Sequence, residues 1–349
     1  MFNVHNILRS HLKDLVPYSS ARDEFSGRAS IYLDANENAL GSTVSEAYNR
    51  YPDPYQHRVK EKLAAIKGVE PGQIFLGNGS DEAIDLLIRA FCEPKEDNIM
   101  IFPPTYGMYK VSAAINNIET VSVPLKPGFT IDENRVFDHI NPHTRLIFIC
   151  NPNNPTGNSL DEGPVINLLE RFSGCVVVDE AYIDFAQHTS FIRYLEKYPN
   201  LVVMQTFSKA WGLAALRLGM AFAHVSIIDI LNKIKPPYNI SGLTQEKALE
   251  ALSNESLKNR MVEAILKERT KLIDQLAGLA LVKHIYPTDT NFVLIKVDDP
   301  LGVYQYLLKE SVVIRDRSTV HLCEGCLRIT VGTGAENTTL IQKLAAYTG

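Results

Sequence analysis

A lysine and an arginine eight residues apart are the residues whose types point most directly to chemistry. Lys209 follows Ser208 among small and apolar residues, shortly after the apolar run 201–204, which is typical of a short buried strand. An ammonium group that loses hydration favours its neutral amine form, which is a nucleophile. Arg217 carries a permanent charge and a forked set of donors that suits phosphate. A surface lysine and an arginine in an ordinary ion pair would leave the same sequence, so both interpretations stay open on these residues alone.

Polar residues also follow three further apolar runs that are typical of buried strands. These runs cover residues 74–76, 146–150 and 175–178. In parallel α/β sheets, ligands bind at the edge formed by the carboxyl ends of the strands. We therefore expect the residues after these runs to meet Lys209 in one site. The candidates from the three segments are Ser80, Asp81, Asn154, Asp179 and Tyr182.

Ser80 and Asp81 lie in a turn of small residues that opens a predicted helix. Free amides at a helix N-terminus can hold a phosphate, although a simple helix cap is the structural alternative. The carboxylates of Asp81 and Glu82 would repel a phosphate. We therefore expect both to point away from it, with Arg217 supplying the neutralising charge.

Asn154 and Asp179 are the other two candidates with a specific chemical use. Asn154 lies between two prolines on a stiff backbone, so it is either an amide aimed at a ligand or a turn residue. Asp179 ends a buried strand, where a carboxylate is costly without a positive partner. That partner would be either a cationic ring nitrogen or a structural arginine.

Composition and charge narrow the class of protein. The 349 residues are 45% hydrophobic and 21% charged, with a formal net charge of −5, as in ordinary globular proteins. Without a basic block, electrostatics give no support to nucleic-acid binding. Five scattered cysteines suit a reducing compartment. Residues 1–14 lack the apolar core of a signal peptide, and no run approaches the ~18 apolar residues of a membrane span, so we predict a cytoplasmic protein without nucleic-acid or membrane partners.

The apolar runs are continuous rather than alternating, and helical segments separate them. This pattern is typical of an α/β domain whose mainly parallel sheet is covered by helices on both faces. After Pro236-Pro237 a long charged helix, about 245–276, introduces a smaller α+β domain. Further strands are expected at 98–102, 121–125, 291–297, 312–315 and 327–331. The predicted domains are an arm over 1–44 that forms part of the small domain, a large domain over 45–236 and a small domain over 237–349.

Together these residues resemble the fold-type I pyridoxal-phosphate-dependent aminotransferases, which implies that fold. The resemblance rests on Asn151-Pro152-Asn153-Asn154-Pro155-Thr156-Gly157, on Asp179-Glu180-Ala181-Tyr182, and on Ser208-Lys209 with Arg217. Within that group, further segments look like the histidinol-phosphate aminotransferase family, and they span nearly the whole chain in the right order. These segments are residues 33–38, 50–52, 89–94, 103–109, 313–316 and 325–332.

The resemblance implies a role for each residue toward pyridoxal 5'-phosphate. Lys209 would bind the aldehyde of the cofactor and later carry a proton to and from the substrate. Asp179 would keep the pyridine nitrogen protonated, so that the ring draws in electrons. Asn154 and Tyr182 would hydrogen-bond the 3-oxygen of the ring, and Tyr106 would stack on its face. The groups expected at the cofactor phosphate are Ser80, the backbone of Asp81, Ser208, Arg217 and the partner subunit's Tyr51, which implies a homodimer.

The implied reaction converts histidinol phosphate and 2-oxoglutarate to imidazole acetol phosphate and glutamate, in two half-reactions of histidine biosynthesis. Because guanidinium groups pair with carboxylate and phosphate alike, Arg315 and Arg328 are the expected ligands of both substrates. Asn154 and Tyr18 are also expected at the substrate. For Arg315, an ion pair with Asp316 is the structural alternative.

Several other functions stay open on the sequence. The enzymatic alternatives are a threonine-phosphate decarboxylase and an aromatic aminotransferase, which share this cofactor site. A cofactor-binding regulator is the non-enzymatic one, although such proteins carry an N-terminal DNA-binding domain and only about thirty residues precede Leu33. No metal is expected, because Cys323 and Cys326 form a single pair and Pro142 separates His139 from His143.

Overall fold

The computed structural model describes residues 2–19 and 29–348. A seven-stranded sheet orders its strands β1-β7-β6-β5-β4-β2-β3. Strands β3, β2, β4, β5 and β6 run parallel, while β7 is antiparallel to both β6 and β1. The strands are β1 (Ile74–Asn78), β2 (Asn98–Ile101), β3 (Glu119–Ser122), β4 (Thr144–Cys150), β5 (Cys175–Asp179), β6 (Leu201–Thr206) and β7 (Leu218–Ala223). The carboxyl ends of β4, β5 and β6 therefore share one edge, as predicted.

Helices cover both faces of this sheet. The α-helices are α1 (Ser10–Lys13), α2 (His57–Lys67), α3 (Gly79–Phe91), α4 (Met108–Ile115), α5 (Glu133–His139), α6 (Glu162–Arg171), α7 (Val225–Ile234), α8 (Gly242–Ser253), α9 (Glu255–Ala277), α10 (Pro300–Lys309) and α11 (Gly334–Ala345). Short 3-10 helices occupy Val4–Asn6, Pro71–Gln73, Ile183–Phe185, Phe191–Tyr194 and Ala214–Leu216. In α3 the stripe Ile84, Leu87, Ile88 and Phe91 is fully buried, because residues three and four apart share one helix face.

The continuous apolar runs follow from burial on both sides of the sheet. In β5, Val176 and Val178 pack into the hydrophobic core on one face, whereas Cys175 and Val177 pack into the core on the other. Successive side chains of a strand point to opposite faces, so both sets must be apolar when helices cover both. The predicted α/β class with a mainly parallel sheet is confirmed.

Strand β7 was not predicted, and it determines where Arg217 lies. Its residues, Leu218–Ala223, include glycine and alanine, which have low strand propensity. Gly219 pairs with Gly77 of β1 and has no room for a side chain. A Cβ atom on Gly219 would lie 2.2 Å from the amide nitrogen of Ser80 and 2.3 Å from the carbonyl carbon of Gly79. This close approach places Arg217, the residue before β7, beside the N-terminus of α3.

A second, antiparallel sheet has the order β10-β11-β9-β8. Its strands are β8 (Val282–Ile285), β9 (Phe292–Val297), β10 (Arg315–Asp316) and β11 (Cys326–Thr330). Leu272 and Leu276 of α9 pack with Leu340 and Leu344 of α11 in the core beside this sheet. The α+β character expected after residue 236 is present, while the domain boundaries themselves stay predictions.

Three predicted elements differ from the observed ones. The strand expected over 121–125 is Glu119–Ser122, because Pro124 cannot donate to a strand ladder. The strand expected over 312–315 is only Arg315–Asp316, and Val313 is mostly exposed. The helix expected over 245–276 is two helices, α8 and α9, which Asn254 separates with a non-helical backbone (φ −113°, ψ 34°).

Within the described residues, no helix is both long and apolar enough to cross a membrane. All five cysteines are free and buried. No group of three or more potential metal ligands is found in the part of the chain that the structure describes.

Candidate active site

A cavity of about 590 Å³ opens at the carboxyl edge of the parallel strands, between the N-terminus of α3 and the hairpin of β10 and β11. It gathers nearly all the residues that the sequence singled out. The predicted residues that line it are Ser80, Asp81, Tyr106, Asn154, Asp179, Tyr182, Ser208, Lys209, Arg217, Arg315 and Arg328. The expected convergence of separate strand ends on one site is therefore observed.

Lys209 lies in the turn after β6, with its amine facing the cavity. The amide of Ser208 donates to the hydroxyl of Thr206 at 3.0 Å, which fixes the start of the turn. The Nζ atom of Lys209 is 5.5 Å from the centroid of the Tyr182 ring. Burial, reinforced by repulsion from Arg328, lowers the pKa of Lys209, although Asp179 opposes the shift. The neutral, nucleophilic form of the amine is thus more accessible than in solvent, as predicted.

Asp179, the last residue of β5, is a buried carboxylate that lines the same cavity. Its Oδ2 atom accepts a hydrogen bond from the Tyr109 hydroxyl at 2.7 Å, and its Oδ1 atom accepts one from the Ala181 amide at 3.1 Å. Burial raises the pKa of Asp179 to about 6, against the opposing effect of these two donors. A carboxylate held this way can still accept a hydrogen bond from a cationic N–H group in the cavity.

Tyr109 was not predicted at this site, yet its hydroxyl contacts Asp179. Its side chain is fully buried. The ring stacks on Phe148 with centroids 4.9 Å apart and meets Tyr106 edge-on at 5.5 Å. Tyr109 lies in the first turn of α4, three residues after Tyr106, which precedes the helix. Its closeness in sequence to Tyr106 was the available signal.

The N-terminus of α3 combines amide donors with the charge of Arg217. Arg217 adopts a left-handed backbone (φ 50°), and its Nη2 atom lies 3.6 Å from Oδ2 of Asp81. Gly79 leaves room for this guanidinium, since a Cβ atom there would lie 2.9 Å from Nη2. Amides at a helix start together with an arginine form a site suited to phosphate.

One expectation at this helix was wrong. Glu82 points away from the cavity, where it accepts from the amide of Asn78 at 2.5 Å and from the side chain of Asn239 at 3.2 Å. Asp81, in contrast, faces the cavity and accepts from the Tyr106 hydroxyl at 3.1 Å. The attraction of Arg217 keeps the Asp81 carboxylate there, so part of the arginine charge is already compensated.

Asn154 joins the two sheets through Arg328. Nη1 of Arg328, in β11, donates a hydrogen bond to Oδ1 of Asn154, which lies in the loop after β4. The Arg328 guanidinium also lies 5.1 Å from the centroid of the Phe292 ring in β9. This contact carries a permanent positive charge from the small sheet into the cavity at the strand ends.

Two predicted residues lie outside the cavity, and an arginine that was not predicted lines it. Tyr18 is 75% exposed in a separate cleft with Pro54. Tyr51 is half exposed and stacks on Tyr238, with ring centroids 4.5 Å apart. Arg317 lines the cavity together with the expected arginines. Within one chain, the structure therefore does not bring Tyr18 or Tyr51 to the site.

The donor set fits pyridoxal 5'-phosphate. Lys209 supplies an amine for the aldehyde, and Asp179 supplies a buried carboxylate for the ring nitrogen. Tyr182 lines the same cavity with a hydroxyl that would suit the 3-oxygen of the ring, and the start of α3 with Arg217 suits its phosphate. Because these groups come from separate elements and meet in one cavity, the arrangement suits a cofactor better than it suits a set of caps and ion pairs.

Comparison with known proteins gives the same answer at the level of the family. The chain belongs to the aminotransferase class I and II family, whose model matches residues 31–344. It is 56% identical over 346 residues to a histidinol-phosphate aminotransferase of Cytophaga hutchinsonii, and the match covers 99% of each chain. The fold resembles the histidinol-phosphate aminotransferase of Sinorhizobium meliloti in complex with pyridoxal-5'-phosphate (TM-score 0.77, 24% identity, 85% and 82% of the two chains).

The fold alone does not separate the predicted activities. An L-threonine-O-3-phosphate decarboxylase from Porphyromonas gingivalis has the same fold (TM-score 0.72, 23% identity, 85% and 90% of the two chains). The sequence relative is much closer, at 56% identity. The predicted family is confirmed, as is its closer resemblance to histidinol-phosphate aminotransferases.

Proposed function

We propose that this protein is a pyridoxal-phosphate-dependent histidinol-phosphate aminotransferase. It transfers an amino group from histidinol phosphate to 2-oxoglutarate and acts in histidine biosynthesis. The observation that carries the proposal is one cavity in which Lys209, Asp179 and Arg217 meet an arginine-lined hairpin. The full-length similarity to histidinol-phosphate aminotransferases supports the choice of substrate.

When bound, the cofactor supplies a carbonyl that takes up the amino group and a ring that accepts electrons from the substrate Cα. Lys209 holds the cofactor covalently at rest and then moves the proton at the substrate Cα. Its lowered pKa suits this role, because a base must be unprotonated to accept a proton. Asp179 keeps a proton on the ring nitrogen by offering a buried negative charge. Tyr182 and Asn154 orient the ring, and Tyr106 covers its face. Ser80, the backbone amide of Asp81, Ser208 and Arg217 hold the phosphate.

On the substrate side, the hairpin of β10 and β11 supplies the positive charge. Arg315 pairs directly with Arg328 in the antiparallel register. Both substrates are anions, since histidinol phosphate carries a phosphate monoester and glutamate carries two carboxylates. Forked guanidinium donors bind either group, so one set of arginines can serve both half-reactions in turn.

The experiment that tests this function uses the purified holoenzyme and its visible spectrum. Added histidinol phosphate should convert the cofactor to its amino form, and 2-oxoglutarate should reverse the change. Inorganic phosphate with no amine serves as the blank. Release of carbon dioxide from threonine phosphate, without conversion by histidinol phosphate, would identify the decarboxylase instead. Conversion by phenylalanine at a comparable rate would identify an aromatic aminotransferase.

We also propose that the active form is a cytoplasmic homodimer in which the partner subunit's Tyr51 contacts the cofactor phosphate. The exposure of Tyr51 outside its own cavity supports this, as does the exposure of Tyr18. Apolar side chains of the N-terminal arm, including Ile31, Leu33 and Leu40, are also mostly exposed. Such side chains need cover, which a second subunit would provide.

A further inference from the structure

Three arginines project from one face of the β10–β11 hairpin. Arg315 and Arg328 are directly opposed in the antiparallel register, and opposed residues share a face. The amide of Arg317 donates to the carbonyl of Cys326 at 2.9 Å, so the ladder continues past the end of β10. Arg317 lies two residues after Arg315 and therefore returns to the same face. All three side chains line the cavity.

The charge on this face is not neutralised by carboxylates. Over residues 2–19 and 29–348, none of the three arginines forms an ion pair with an acidic side chain. Arg317 donates from Nη1 to the backbone oxygen of Asp316 at 3.3 Å, and Arg328 donates to Asn154. The Asp316 carboxylate instead accepts from the amide of Ser318 at 2.7 Å. Burial and the neighbouring Arg315 lower the pKa of Arg317, as expected for crowded cations.

The acidic residues of the cavity are already engaged elsewhere. Asp81 meets Arg217 and Tyr106, while Asp179 accepts from Tyr109 and Ala181. Both belong to the half of the site that we assign to the cofactor. The hairpin therefore presents three forked donors and three positive charges to whatever ligand enters beside that half.

A phosphate monoester matches this surface better than a carboxylate does. It carries up to two negative charges, with a second pKa near 6, and has three free oxygens. A carboxylate carries one charge and two oxygens, which two guanidinium groups satisfy. We propose that Arg317 is a specificity-determining residue that recognises the second charge and third oxygen of a phosphate monoester, an inference that rests on the proposed function.

The selectivity should appear as unequal losses when Arg317 is removed. Arg315 and Arg328 bind either anion, so carboxylate recognition survives without a third arginine. Phosphate loses a charge-assisted hydrogen bond, which corresponds to about a 10- to 100-fold loss of affinity. The difference should shrink below about pH 6, because the phosphate then carries a single charge.

The test compares binding of two ligands that cannot react, propyl phosphate and the monocarboxylate butyrate, to the holoenzyme by calorimetry. Arg317→Gln should weaken binding of propyl phosphate about 10- to 100-fold and binding of butyrate less than about 3-fold. Arg317→Lys, which keeps the charge without the fork, should lie between Arg317→Gln and the wild type. Arg269→Gln is the matched control, since Arg269 is a half-buried arginine outside the cavity that donates to the Thr290 carbonyl at 2.7 Å. This control should change neither affinity.

Equal losses for both ligands, or no loss for propyl phosphate in either Arg317 variant, would overturn the inference. Because neither ligand reacts, the result does not depend on turnover. If the Arg317 variants lose propyl phosphate selectively but the wild type does not convert histidinol phosphate, the proposed function alone is refuted. If the wild type converts histidinol phosphate but the Arg317 variants show no selective loss of propyl phosphate, the role of Arg317 alone is refuted.

Discussion

The hydroxyl of Tyr109 stabilises the ionised form of Asp179 in a buried site that otherwise disfavours a charge. Desolvation raises the pKa of a buried carboxyl, whereas a donor to the ionised form lowers it. At 2.7 Å the Tyr109 hydroxyl is such a donor, and its stacking on Phe148 fixes where it points. A hydrogen bond to a charged group contributes about 1.5–3 kcal/mol, which is enough to move a pKa by a unit or more.

Tyr109→Phe should therefore shift the pH range in which the apoenzyme captures its cofactor. Asp179, with a pKa of about 6, gains a proton as the pH falls and then offers no charge to a protonated ring nitrogen. Without the tyrosine hydroxyl this pKa rises, so capture should decline at a pH about one unit higher than in the wild type. The measurement is the dissociation constant of pyridoxal phosphate between pH 5 and 8.

Tyr198→Phe is the control for that variant. Tyr198 is also a buried tyrosine that donates to a carboxylate, Oε1 of Glu170, at 2.7 Å, but it lies on the other face of the sheet. Its removal should leave the pH midpoint of cofactor binding unchanged. Coincident midpoints for the wild type and Tyr109→Phe would show that Tyr109 has only a packing role.

Replacing Lys209 should separate binding of the cofactor from catalysis of transamination. In Lys209→Ala the amine that moves the substrate proton is lost, so transamination should fall by at least about 1,000-fold. The start of α3, Arg217 and Asp179 remain, so the cofactor should still bind without a covalent link. Absorbance spectra after gel filtration would report retained cofactor. Turnover close to that of the wild type would contradict the assignment of Lys209.

At the scale of elements, strand ends at the edge of the parallel sheet position most of the site residues, and β7 positions Arg217. Four strand ends were predictable, because continuous apolar runs followed by polar residues imply buried parallel strands with a shared edge. Strand β7 was not, since Gly219 and the alanines around it weaken the strand pattern. That the Asp81 side chain faces the cavity was also unpredictable, because its direction depends on the Arg217 guanidinium that β7 places beside α3.

Residues that act through packing or register were the ones that the sequence left unassigned. The residues around Tyr109 do not link it to Asp179, because that contact spans 70 residues of the chain. Arg317 lies just past the two-residue strand β10, so only the observed pairing with β11 places it on the face of Arg315 and Arg328. Sequence patterns indicate strand ends, but these two contacts depend on three-dimensional register.

The contact between Gly219 and the start of α3 gives a test at this scale. Gly219→Ala would drive a methyl group into the backbone of Gly79 and Ser80, which cannot move as a side chain can. We expect a loss of about 1–3 kcal/mol in the free energy of unfolding and weaker cofactor binding. Urea unfolding and cofactor titration measure the two effects. Gly163→Ala is the control, because a Cβ atom there contacts nothing within 4 Å and alanine suits α6.

At the scale of the whole molecule, a single chain brings most of the predicted site residues into one cavity but leaves two of them outside it. The large sheet positions the residues that we assign to the cofactor, and the small sheet contacts this region through the Arg328–Asn154 hydrogen bond. Tyr51 and Tyr18 stay outside the cavity of their own chain and are exposed. A symmetric dimer places the same patch of each subunit against the other, so a residue on that patch can complete the partner's site.

Mixing two inactive variants distinguishes this arrangement from a site made within one chain. In a dimer of one Tyr51→Ala subunit and one Lys209→Ala subunit, a Tyr51 that acts across the interface leaves one site with both residues intact and the other with neither. Random exchange of equal amounts makes about half of the dimers mixed, so about a quarter of all sites should regain wild-type activity. Activity is measured after mild urea exchange, with light scattering to follow the dimer. If Tyr51 served its own chain, every site would lack one residue and mixing would restore nothing.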